Sequence, residues 1–85
     1  MKPTKSGNLE VRKVGDEVLV HDPAHGKVHV LNATAGTILE QCDGSRTADE
    51  IARSIAEATG ADIAIVSNDV AGILKEFTGL QLLVS

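Results

Sequence analysis

Two turn signals lying close together, Gly15-Asp16 and Asp22-Pro23-Ala24-His25-Gly26-Lys27, constrain this chain more than anything else in it. Glycine tolerates the positive φ of a two-residue hairpin loop, and proline presets φ at the first position of a longer turn. The stretch they enclose, Glu17–Asp22, is too short for a stable helix and carries β-branched Val18 and Val20. The spacing therefore predicts an antiparallel meander with strands over residues 9–14, 17–22 and 27–31. Those loops also fix register, and register assigns faces. Val11 falls opposite Val20, Val20 opposite His29 and Val18 opposite Leu31. One face collects Leu9, Val11, Val18, Val20 and Leu31 and is the expected core face. The other mixes Val14, Leu19, Val28 and Val30 with Glu10, Arg12 and His21. A meander of this kind leaves the third strand as an edge, with a row of unpaired backbone groups unless something covers it.

Beyond residue 31 the apolar period changes to that of a helix. Asn32 is an N-cap for a first helix with Ala35, Ile38, Leu39 and Cys42 inward and an Asp43-Gly44 stop. Thr47 and Glu50 form a capping box for a second helix, with Ile51, Ala52, Ile55 and Ala58 inward and Gly60 at its end. Asp62 caps a third, whose stripe is Ile63, Val66, Val70, Ile73, Leu74 and Phe77, with Gly79 as terminator. Gly72 lies inside that helix at a cost of about 1 kcal/mol against alanine. Either it lets another backbone come close, or it occupies a surface position under no such demand. Residues 80–84 are apolar enough to fold back as a tail, residues 1–8 are expected to be loose, and residues 9–85 form a single domain. The expected class is α+β: a small three-stranded antiparallel sheet followed by a three-helix bundle, with a winged helix-turn-helix outline.

Size and composition narrow the function. At 85 residues the chain makes one domain with a small core, and 42% hydrophobic content suits a folded one. A net charge of −4 gives no general attraction to phosphate backbones or anionic lipid. Phe77 is the sole aromatic residue, so no base-stacking surface can be built. No apolar run reaches the ~18 residues of a membrane span, residues 1–7 do not read as a secretory signal, and cytoplasmic residence is expected. With Cys42 alone there is no internal disulfide and no multi-cysteine zinc site.

Few residues suggest chemistry. His21, His25 and His29 recur at a spacing that would align them on a helix, but here they straddle strand, turn and strand, and His21 and His29 fall on opposite faces. Ordinary sheet and turn histidines are favoured over a metal site. Cys42 belongs to an apolar stripe and reads as buried rather than reactive. Asp69 and Glu76 read as a solvated helix face. No catalytic residue, metal site or cofactor is expected. A DNA-reading role for the third helix fits poorly, because it holds Asp62, Asp69 and Glu76 against Lys75 alone.

Three segments carry a resemblance. They are Val18-Leu19-Val20-His21-Asp22-Pro23 with Gly26-Lys27-Val28-His29-Val30-Leu31-Asn32; Ile38-Leu39-Glu40-Gln41-Cys42-Asp43-Gly44; and Arg46-Thr47 leading to Glu50-Ile51-Ala52. Together they resemble the PqqD-like family, small peptide-binding proteins named for pyrroloquinoline quinone biosynthesis. Their fold also serves as the recognition element of many systems that modify ribosomally made peptides. The resemblance covers residues 9–80 and is closer to the broad PqqD-like group than to the quinone-pathway member itself. It implies a winged-helix-like domain that binds the leader of a precursor peptide and presents it to a maturation enzyme, often a radical S-adenosylmethionine enzyme. It also implies a site: the leader adds as a strand beside Lys27, Val28, His29, Val30 and Leu31, in a groove facing Val66, Asp69, Val70, Ile73, Leu74 and Phe77.

The residues support that mechanism on their own terms, since an edge strand offers donors and acceptors that an extended peptide can satisfy. Each apolar residue of the third helix has an ordinary core reading beside the groove reading. Two other functions compete with the adaptor: an acidic winged-helix protein in transcription, and a structural homodimer joined through the third strand.

Overall fold

The computed structural model describes residues 2–84. The sheet forms as the loops dictate. Strands β1 (Glu10–Val14), β2 (Glu17–Asp22) and β3 (Lys27–Asn32) pair antiparallel in the order β1-β2-β3. Val11 faces Val20, Val20 faces His29 and Val18 faces Leu31, which is the expected register. Three helices follow: α1 (Ala33–Glu40), α2 (Ala48–Thr59) and α3 (Ile63–Gly79). Their starts are set by side chains that satisfy free backbone donors. Asn32 accepts from Ala35 N–H at 2.8 Å, and Thr47 and Glu50 complete a reciprocal capping box. Asp62 accepts from Ala64 N–H.

The core lies between one sheet face and the helices. Val18, Val20 and Leu31 meet Ala35, Ile38, Leu39, Ile51, Ala52, Val66, Val70, Phe77 and Leu82 there. α1 crosses β2 closely at Gly36, where an added Cβ would sit 2.9 Å from Val18 Cβ and closer still to its Cγ2.

The structure departs from the sequence reading in several places. Val11 belongs to the core face by alternation yet is 47% exposed, because α1 packs on β2 and β3 and leaves β1 largely uncovered. Ile63 likewise ends 45% exposed at the start of α3. α1 stops at Glu40, before Asp43-Gly44, and Cys42 lies past the helix while remaining buried. The reason is the segment expected to be loose. Pro3 is buried, Thr4 bridges Asp43, and Lys5 N–H donates to Cys42 O at 2.7 Å, so the chain after α1 is drawn into pairing. On its far side the same segment takes the C-terminal tail: Lys5 bridges Leu83, Ser6 N–H donates to Leu82 O, and Val84 N–H donates to Thr4 O. The tail does fold back. Gln81, rather than Gly79, adopts the left-handed conformation that turns it, at φ 62°, and Leu82 becomes fully buried.

Candidate functional site

Sheet order leaves β1 and β3 as edges, and the two differ chemically. β1 carries Glu10, Arg12 and Lys13, all exposed, the kind of charged edge that resists pairing with another chain. Between Lys27 and Asn32, β3 has only Val28, His29, Val30 and Leu31. It is the unguarded edge.

Hairpin geometry tells which backbone groups of β3 look outward. The two-residue loop makes Val14 and Glu17 a hydrogen-bonded pair, and such pairs alternate along an antiparallel ladder. Residues 17, 19 and 21 therefore direct their amides to β1, and 18, 20 and 22 direct theirs to β3. Across the second ladder, residues 27, 29 and 31 answer β2, and the N–H and C=O of Val28 and Val30 point away from the sheet. Among the described residues no backbone group takes up that flank; the C-terminal tail pairs with residues 4–6 instead.

At the α1 end of β3, α3 walls a groove of ≈ 450 Å³ lined by Asn32, Thr34, Asn68, Asp69, Gly72, Ile73 and Glu76, with β3 contributing Asn32 alone. Asp69, Ile73 and Glu76 share one side of α3 by their i, i+4, i+7 spacing.

The residues expected at the site separate into two groups. Val28 and Val30 are 63% and 58% exposed on the outer sheet face, Lys27 is exposed, and His29 is half-buried on the core face. Asp69 and Ile73 line the groove, and half-buried Leu74 packs against the core behind it. Leu31, Val66, Val70 and Phe77 are core, with Val70 and Phe77 at 1% exposure, so they support the groove without offering it a surface. Sequence reasoning missed Asn32, Thr34, Asn68, Gly72 and Glu76 as lining residues. The available signal was the polar stripe through Asn68, Gly72 and Glu76, one step around α3 from the apolar one.

The histidines do not converge. His21 Nδ1 lies 3.1 Å from Glu10 Oε2, and His25 Nδ1 lies 2.6 Å from Asp22 Oδ2. His29 Nε2 is buried and has no hydrogen-bond partner among the described residues. Among the described residues no three His, Cys, Asp or Glu side chains gather in a way that could hold a metal ion. Burial pushes the Cys42 thiol up to about 11, against a smaller lowering by Lys5, and its S–H donates to Ile38 O at 3.2 Å. That thiol is protonated near neutrality and is a poor nucleophile. Among the described residues no helix is long and apolar enough to cross a membrane.

The fold recurs in known proteins. The family described as coenzyme PQQ synthesis protein D (PqqD) matches residues 17–83. No curated protein matches the chain. Several solved structures do. TbiB1 in complex with the TbiA(beta) leader peptide superposes with a TM-score of 0.84 at 21% identity, covering 96% of this chain and 95% of its own. A lasso peptide synthetase B1 complexed with the leader peptide gives 0.84 at 13% identity, over 100% of both chains. The solution NMR structure of the PqqD truncation of Methylobacterium extorquens PqqCD, described as a stand-alone recognition element for ribosomally synthesized and post-translationally modified peptides, gives 0.82 at 21% identity, covering 98% and 88%. At such identities the likeness is one of fold.

Proposed function

The chain belongs to the coenzyme PQQ synthesis protein D family, and we propose that it is a non-catalytic adaptor that captures the leader of a ribosomally made precursor peptide by strand addition to β3. It then presents the peptide to a modifying enzyme, for which a cytoplasmic radical S-adenosylmethionine enzyme is our candidate. One observation carries the reading: among the described residues the outward N–H and C=O groups of Val28 and Val30 have no partner, on an edge that, unlike β1, is not guarded by charge. Two solved relatives of the same fold hold leader peptides, which supports the same use of the fold here. An acidic α3 opposes the alternative of duplex DNA binding.

Titration of the full chain with the leader of a precursor peptide encoded beside its gene tests the proposal. Amides of residues 27–32 and 68–76 are expected to shift; shifts confined to β1 or α2 would refute it. Val30→Pro removes one outward donor without touching the ladder to β2, so the sheet should survive. Its peptide affinity should fall on the order of tenfold, the worth of one net hydrogen bond.

A further inference from the structure

We propose that Gly72 is a clearance for the guest strand, and that Asp69 and Glu76 beside it select a guest bearing a lysine or arginine; this rests on the strand-addition reading of β3. A glycine inside a helix costs about 1 kcal/mol against alanine whatever surrounds it, and a use for the room it leaves offsets that cost. At Gly36 the need is internal, because Val18 fills the space a Cβ would take. At Gly72, as at Gly79 in the same helix, an added Cβ would meet open space: among the described residues no atom beyond its chain neighbours and the helix's own backbone lies within 4 Å. The room is left on the groove side of α3, next to Ile73 and between the two carboxylates. Among the described residues neither the Asp69 nor the Glu76 side chain has an ion-pair or hydrogen-bond partner.

Strand geometry then sets the guest. Side chains alternate along an added strand, and those paired beside His29 and Leu31 share their face, toward α3. A large apolar side chain there covers half-buried Ile73 and presses toward Gly72. The next side chain on that face, two positions away, comes within reach of Asp69 or Glu76. Two unpaired carboxylates flanking an apolar floor favour a cation at that place. The occupant is thus an extended peptide with a large apolar residue and a lysine or arginine in an i, i+2 pattern.

The test pans a library of random short peptides against the full chain, against Gly72→Ala and against Asp69→Asn/Glu76→Gln. Wild type should enrich the i, i+2 apolar–basic pattern. Gly72→Ala should unfold at the same temperature or higher, yet bind the wild-type peptides about tenfold more weakly and enrich smaller apolar residues. The carboxylate variant, with folding confirmed by circular dichroism, should lose the basic preference and bind the selected peptides about twofold to fivefold more weakly per carboxylate. Unchanged binding by Gly72→Ala, or no enrichment of basic residues by wild type, overturns the inference. If the selected peptides still shift the Val28 and Val30 amides, strand addition survives that failure; if no peptide shifts them, both fall.

Discussion

Asp22 is 3% exposed, and it is the buried charged side chain of the described core. Burial pushes its carboxyl up, but the hydrogen bond and charge of His25, with backbone donors of the turn, outweigh this and hold it below the ordinary value of 3.8. A carboxylate lowered on folding stabilises the native state above its unfolded pKa, and that contribution is lost as pH falls through the native one. Thermal unfolding followed from neutrality downward should therefore show the β2–β3 hairpin losing stability below about pH 4. In His25→Ala the carboxyl rises toward or above its unfolded value, so this acid-induced loss should shrink or reverse. Cys42 yields a second expectation at this scale: with its thiol raised to about 11, it should react with thiol reagents only after denaturation. Its burial was legible from its place among apolar residues. The Asp22–His25 pair was not, because turn spacing fixes the backbone and leaves open which side chains close on each other.

Among the elements, α1 depends on how closely it approaches β2. Gly36→Ala improves intrinsic helix propensity by about 1 kcal/mol, yet its methyl would collide with Val18. The helix must lift or Val18 must move, and net destabilisation of about 1–3 kcal/mol is expected by urea unfolding. Unchanged stability would mean that the α1–β2 contact is looser than described. The meander and its register were legible because Gly15, Pro23 and Gly26 admit few backbone paths. The end of α1 was not. Asp43-Gly44 is a sound stop signal, but pairing with Thr4 and Lys5 draws the chain out of the helix sooner. Val11 and Ile63 failed for a related reason: alternation names a face without saying whether another layer covers it. The same limit applied at the groove, where one stripe of α3 supplied core and wall together.

At the scale of the whole molecule, the residues expected to be loose tie the two ends of the chain together. Backbone bonds from Lys5 to Cys42, Ser6 to Leu82, Gly44 to Pro3 and Val84 to Thr4 span 2.7–3.1 Å. Deleting residues 1–7 should cost about 2–4 kcal/mol at ordinary net hydrogen-bond worth. It should also speed amide exchange at Gly44 and Val84, while β3 keeps its peptide affinity. Loss of binding in step with stability would instead link the clamp to the groove. Contacts between chain ends follow no local period, which is why the sequence did not announce them. The Lys5–Leu83 bridge has an architectural corollary. With both ends of the polypeptide side by side, a larger enzyme could carry this fold as a cassette within one of its own surface loops, needing only short connectors and leaving the far border of the sheet free for cargo.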